Sequence, residues 1–241
     1  MTASFFISDL HLADERPEST ETLLRFLRDT APEAEHLFIL GDLFEFWIGD
    51  EALDAPMPAR VAAGLRELAS RGTDVYFLHG NRDFLIGERF ATEAGVQLLT
   101  DPHPLTLYGV PTLLMHGDTL CTDDVEYLKF RQLVRNPVWQ SDFLSKPIDE
   151  RIAIARSART ESEQAKKGKS MDIMDVSNEA VEAVLREHHY PRIIHGHTHR
   201  PAVHQHKVDE HQCERIVLAD WYGNGSYLEC SEDGCRSITL V

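Results

Sequence analysis

Five times in this chain an apolar run of strand length stops at a short cluster of Asp, His or Asn. Phe5-Phe6-Ile7 leads to Asp9-Leu10-His11, Ile39-Leu40 to Gly41-Asp42, and Val75-Tyr76-Phe77-Leu78 to Gly80-Asn81-Arg82-Asp83. Leu113-Leu114-Met115 leads to His116-Gly117-Asp118, and Ile193-Ile194 to His195-Gly196-His197-Thr198-His199. A buried strand delivers the residues that follow it to its carboxyl edge, where open α/β folds bind their ligands. If the five runs end at one edge, their polar side chains converge on a small volume, with Asp42 at its centre.

The first half of the chain reads strand, loop, helix, three times over. Strands at 4–8, 36–40 and 74–78 alternate with helical patterns through Leu23, Leu24, Phe26 and Leu27 and from about Pro58 through Leu65 and Leu68, the second stopped by Gly72. That alternation predicts a largely parallel sheet. A helix near 84–94 follows, and runs at 96–99, 105–108 and 111–115 predict a second sheet. Runs at 201–206, 214–220, 225–230 and 236–241, with turns at Gly223-Asn224-Gly225 and Asp233-Gly234, read as antiparallel strands completing it. Residues 123–190 break the pattern with charged helical stretches interrupted at Pro137 and Pro147. They read as a helical insertion placed to cap the site. Residues 1–241 are expected to form a single domain around it.

Composition narrows the function. Forty acidic against twenty-four basic residues, a formal net charge of −16, argue against a broad grip on a nucleic-acid backbone. Small or lipid-borne phosphates are left open as ligands. The four cysteines, Cys121, Cys213, Cys230 and Cys235, lack the density of a disulfide framework, and the chain enters a strand at once, so an intracellular, reduced protein is expected. No apolar run reaches the ~20 residues of a spanning helix. No obligate protein partner is evident.

Asp9, His11, Asp42, Asn81, His116, His195 and His197 form a donor set for two cations bridged by Asp42. Mixed carboxylate, amide and imidazole donors suit Mn, Fe or Zn better than Ca or Mg. Two such ions can acidify a water and clamp a phosphoryl group for in-line attack. Phosphate-ester hydrolysis is the natural reaction. His199 reads either as a donor supporting a ligand or as a surface residue, and Phe44, Phe46 and Trp47 as core and loop packing. His204, His206, His211 and Cys213 lack the paired cysteines of a zinc site.

The order Asp-x-His, Gly-Asp, Gly-Asn-x-Asp, His, Gly-His-x-His, from Asp9 to His199, resembles the calcineurin-like metallophosphoesterases. The resemblance implies a two-sheet β sandwich flanked by helices. It places one metal on Asp9, His11, Asp42 and His197 and the other on Asp42, Asn81, His116 and His195. Many members carry His where this chain has Arg82. Arginine stays charged and cannot be the acid, but its planar fork holds a phosphate oxygen. A departing phosphate monoester needs charge stabilisation rather than a proton, so Arg82, with Asp42 a predicted catalytic residue, favours a pyrophosphate substrate.

The longer runs, Gly41 to Asp50, Gly80 to Leu85, His116 to Asp124, Ile173-Met174-Asp175-Val176 and His195 to Pro201, are similar to a branch of the family that acts in lipid A biosynthesis. That branch cleaves a UDP-linked diacylated glucosamine to UMP and the diacylated sugar 1-phosphate. The likeness implies manganese, attack on the α phosphorus, acyl chains received by the insertion, and a peripheral position at the cytoplasmic face of the inner membrane. Its substrate contacts fall on Asn81, Arg82, Asp124, His195, Ser162, Lys166 and Lys169, with Lys166 replacing an Asn of the pattern. Trp139, Phe143 and Leu144 either line an acyl tunnel or hold the insertion together. Other substrates for the same metals are a cyclic nucleotide, a nucleic acid or a phosphoprotein. A binding scaffold with a relic site is the reading from another class.

Overall fold

The computed structural model describes residues 3–167 and 175–240, without the side chains of 163 and 165–167. Lys169 and Ile173-Met174 therefore lie outside the described residues, as does the side chain of Lys166.

Strands β1 (Ser4–Ile7), β2 (His36–Ile39), β3 (Asp74–Leu78) and β4 (Val96–Leu99) run parallel in one sheet. Helices α1 (Pro17–Asp29), α2 (Pro56–Ser70) and α3 (Glu88–Ala94) connect them. Pro17 and Pro56 open their helices at the first position, where a missing N–H costs nothing. The second sheet holds β5 (His103–Leu107), β6 (Val110–Leu114), β7 (Arg192–His195), β8 (Ala202–Val208) and β9 (His211–Val217) in the order 5-6-7-9-8.

The hairpin β10 (Ser226–Ser231) and β11 (Gly234–Thr239) joins the first sheet, β10 pairing antiparallel with β1. Two expectations are corrected here: β4 and this hairpin extend the first sheet, not the second. Alternation along a strand states which faces are apolar but not which neighbour it pairs with. Both sheets are buried, so the pattern alone is silent. Cys230 and Cys235 face each other across the hairpin and are joined as a disulfide, because the short turn sets them in register. Cys121 and Cys213 are buried thiols, so the expected fully reduced set is corrected too.

Alternation explains the layers. Phe6, Phe38, Leu40 and Leu78 point into the sandwich, against Leu114, Ile194 and Ile216 of the second sheet. Phe5, Ile7, Leu37, Ile39 and Phe77 point outward beneath Leu23, Phe26, Val61, Leu65 and Phe90 of the three helices. Truncating Phe6, fully buried between the sheets, would cost about 3–5 kcal/mol.

The insertion is helical as expected: α4 (Val125–Val134), α5 (Pro137–Leu144) and α6 (Ile148–Lys167). Its boundary moves, however. Helix α7 (Asn178–Glu187) buries Val181 and Leu185 against Leu113, Ile193 and Val208 on the outer face of the second sheet. It is a flanking helix of the sandwich, and the cap ends before it. Trp139 and Phe143 stack 5.0 Å apart, and Trp139 lies 6.4 Å from Phe84 of the β3–α3 loop. These rings dock the cap on the body of the protein.

Candidate metal centre

All five motifs exit strands at the same edge. The carboxyl ends of β1 and β2 are tied by hydrogen bonds from Asp9 N to Gly41 O and from His11 N to Asp42 O. Gly41 is required: its φ is +88°, and a Cβ there would lie 2.4 Å from the nitrogen of Gly80. Asp9, His11, Asp42, His197 and His199 also have positive φ, a conformation that costs a non-glycine residue energy and persists where the surroundings enforce it. Five functional-type side chains held this way mark the site.

Two donor groups form around the buried carboxylates. Asp9, His11 and His199 make one and Asp9, Asp42 and His116 the other, and each could hold a metal ion. His11 Nε2 lies 4.0 Å from Asp9 Oδ1 and 3.8 Å from Asp42 Oδ2, and His116 Nε2 lies 3.7 Å from Asp42 Oδ1. Asn81 Oδ1 is 2.9 Å from both His116 Nε2 and His197 Nδ1. The backbone N–H of Arg82 donates to Asp42 Oδ1 at 2.8 Å. Thus six of the seven predicted ligands meet.

His195 is placed differently. Its Nδ1 donates to Gly196 O and its Nε2 accepts from Arg215 Nη1, at 2.8 and 2.9 Å. His199 instead approaches Asp9, with Nε2 3.4 Å from Oδ1. Of the remaining predicted contacts, Asp124 caps α4 by accepting from Tyr127 N at 3.1 Å. Ser162 lies on α6 three residues after Arg159, on the helix face shared by positions three and four apart.

Electrostatics fit a cation. Burial pushes the Asp42 carboxyl up to about 7, against the pull of His116. Burial acts the same way on Asp9, but His199 beside it and the imidazoles of His116 and His11 hold its carboxyl low. Burial disfavours a charged His116, yet Asp42, Asp118, Asp9 and the Leu40 carbonyl drive it up to about 9. Both ring nitrogens of His116 face oxygens, those of Leu40 and Asn81. This environment favours a positive charge at His116, the charge that a divalent ion would supply. Asp9 Oδ1 is buried with no hydrogen-bond partner, which a metal bond would satisfy. Burial and the Arg215 guanidinium hold His195 neutral, with its pKa down to about 3.

Several supporting residues escaped the sequence reading. Asp83 accepts from Gly80 N at 2.9 Å and Leu43 N at 2.7 Å, clamping two ligand loops together. Its place in the Gly80-Asn81-Arg82-Asp83 motif was the available signal. Asp118 accepts from Tyr127 Oη at 2.5 Å and Arg131 Nε at 2.7 Å, tying the His116 loop to the cap. Arg215 carried no local signal, because its partner His195 is on another strand.

A two-sheet sandwich with an Asp, His and Asn cluster at the shared edge of its strands defines a metal-dependent phosphoesterase. The chain belongs to the calcineurin-like phosphoesterase family, whose model matches residues 5–201. It is 50% identical over 94% of its length to a UDP-2,3-diacylglucosamine hydrolase of Aromatoleum aromaticum, covering 92% of that protein. A UDP-2,3-diacylglucosamine hydrolase of Marinobacter nauticus is 51% identical over 95% of this chain and 94% of its own. Among solved structures, an archaeal phosphodiesterase matches 99% of this chain and all of its own at 13% identity and a TM-score of 0.49.

Proposed function

We propose that the protein hydrolyses the pyrophosphate bond of UDP-2,3-diacylglucosamine to UMP and 2,3-diacylglucosamine 1-phosphate in lipid A biosynthesis. The observation that carries the reading is the identity of about half of all residues, over nearly full length, with two hydrolases named for that substrate. Arg82 adds chemical support, since its backbone N–H is tied to Asp42 and its side chain would offer a permanent charge to a leaving phosphate.

Asp9, His11, Asp42 and His197 would hold one ion and Asp42, Asn81, His116 and His195 the other, with manganese the expected metal. His195 joins that set by releasing Gly196 O or Arg215. His199, already beside Asp9, is an alternative donor to the first ion. When bound, the ions supply Lewis acidity to a phosphoryl oxygen and acidify water for attack. Water adds to the α phosphorus and gives up its proton to solvent, the bond to the bridging oxygen breaks, and the sugar phosphate leaves as an anion. The Arg82 guanidinium stabilises that charge without giving up a proton. Asn81, Asp124, His195, Ser162, Lys166 and Lys169 are the proposed substrate contacts.

The cap carries the proposed membrane contact. No helix among the described residues is long and apolar enough to cross a membrane. Val125, Phe130, Leu133, Val138 and Ile148 nevertheless expose apolar surface on α4, α5 and α6, the kind of patch that meets a lipid surface from the side. We take the whole chain as one domain with this insertion, working peripherally at the cytoplasmic face of the inner membrane.

The test is phosphorus NMR of the products formed from UDP-2,3-diacylglucosamine, with manganese, in water enriched in heavy oxygen. UMP bearing the label is expected. No turnover, alongside hydrolysis of an aryl phosphodiester, would overturn the substrate while keeping the metal site.

A further inference from the structure

Glu45 is 3% exposed and belongs to neither donor group of the metal centre. A buried carboxylate is costly unless paired, and this one is paired from three separate parts of the chain. Arg16, which precedes α1, donates from Nη2 to Oε2 at 3.1 Å. Arg82 of the β3–α3 loop places Nη1 3.8 Å from Oε1. Arg159 of α6 in the cap pairs with that same Oε1.

The two oxygens are divided by function. Oε2 lies 3.9 Å from Nδ1 of His11, whose other nitrogen faces Asp9 and Asp42. His11 Nδ1 is buried and makes no hydrogen bond of its own. Carboxylate, imidazole and metal position thus stand in sequence, and closing the 3.9 Å gap to a hydrogen bond gives the arrangement in which a carboxylate orients a ligating histidine. Oε1 meets the guanidinium proposed to stabilise the leaving phosphate and the cap helix that covers it.

We propose that Glu45 is a positioning residue that couples the two halves of the reaction, aligning His11 towards the metals and Arg82 towards the leaving group while drawing α6 over both. It touches no reacting atom. A long arginine side chain samples many rotamers, and a fixed buried anion restricts Arg82 before substrate arrives. The inference rests on the pyrophosphatase reading for the role of Arg82, but the placement of Glu45 does not.

The test combines Glu45→Gln, Arg82→Ala and the double variant in the manganese-loaded protein. Turnover is measured on UDP-2,3-diacylglucosamine and on bis(p-nitrophenyl) phosphate, and manganese affinity by calorimetry. Glu45→Gln keeps the side-chain shape, so folding is preserved if a truncation to alanine fails. It is expected to lower kcat about 30-fold with KM within about 3-fold, and by under about 3-fold when Arg82 is already alanine. Manganese affinity is expected to fall about 10-fold, as for other supporting partners of a metal ligand. Glu45→Asp should recover part of both losses. Equal losses in the two Arg82 backgrounds, or unchanged kcat and manganese affinity in Glu45→Gln, would overturn the proposal. If wild type ignores the UDP-linked lipid but cleaves the aryl diester, the substrate reading fails and the same cycle on the diester still decides Glu45.

Discussion

Arg135, at the end of the first cap helix, donates from Nη2 to the carbonyl oxygen of Gly80 at 2.8 Å. Gly80 opens the loop that carries Asn81 and Arg82, so the cap is fastened directly to the machinery it covers. The other ties repeat the pattern. Tyr127 and Arg131 of α4 bind Asp118 beside the His116 loop, and Arg151 of α6 reaches the loop beyond Asp42. A cap attached at several ligand loops transmits its position to the metal centre.

Arg151 is the clearest place to loosen that attachment. Its Nη1 donates to Ile48 O at 2.7 Å, and both terminal nitrogens pair with Glu51 at 3.1 and 3.0 Å. Arg151→Ala leaves the Ile48 carbonyl without this donor and opens the base of α6, where Arg151 is buried. KM for the lipid substrate is expected to rise about 10-fold with kcat within about 3-fold, the signature of lost binding that ground and transition states share. Steady-state kinetics check this, and faster tryptic cleavage within residues 148–167 would locate the change.

Asp83 supports a stability prediction. Its carboxylate spans Gly80 N and Leu43 N while lying fully buried. Asp83→Ala leaves both donors unmet, at a cost of about 2–4 kcal/mol summed over the two. Urea unfolding should show a lower midpoint with an unchanged slope. Because Asn81 and Asp42 sit on the two loops it joins, manganese should bind more weakly as well. A variant with wild-type stability and metal affinity would show that the loops hold without the clamp.

The site was more legible than the strand order. Asp9 and His11, Asp42, Asn81 and His116 announce themselves because they follow four apolar runs, and the run length fixes where the chain leaves the sheet. Strand pairing has no such local code. β10 lies beside β1 because the Ser226–Ser231 register matches Ser4 to Phe6 in three dimensions, and a buried strand reads the same in either sheet. Helix α7 reads in sequence as part of the charged helical insertion, although Val181 and Leu185, one turn apart, carry the apolar stripe that docks it on the second sheet. His195 shows the limit at the level of one residue: the motif marks its type, while Arg215, on a strand still to come, decides where its ring nitrogens point.

Cysteine chemistry offers a pH test away from the metals. Burial pushes the Cys121 thiol up to about 12, helped by the charges of Asp118, Asp175 and Asp124. Raising a thiol pKa removes the thiolate, which is the reactive form. At pH 8.5 an ordinary cysteine is about half ionised, whereas native Cys121 should resist iodoacetamide over hours. Mass spectrometry without reductant should then find two alkylated cysteines only after denaturation, Cys121 and Cys213, with Cys230 and Cys235 still joined. Rapid native labelling of Cys121 would contradict its burial.

Asp42 is the residue on which the dinuclear reading turns. Its Oδ1 faces His116 and its Oδ2 faces His11, so a single carboxylate addresses both sides of the centre. Burial, with the neighbouring charges of Asp83 and Asp9, raises its pKa to about 7, so the site disfavours a further negative charge there without a cation. Cations remove that resistance, and metal binding should therefore release a proton near neutral pH. Asp42→Asn removes the charge and one of the two anionic oxygens while keeping the shape. Against the two ions per chain proposed for the wild type, manganese content is expected to fall to one or none, and kcat/KM by about 10³-fold or more, a loss comparable to removing a principal electrostatic stabiliser. Elemental analysis of the dialysed variant beside its turnover rate checks both. Two tightly held ions in Asp42→Asn would mean that another residue bridges them, and the assignment of Asp42 would fail.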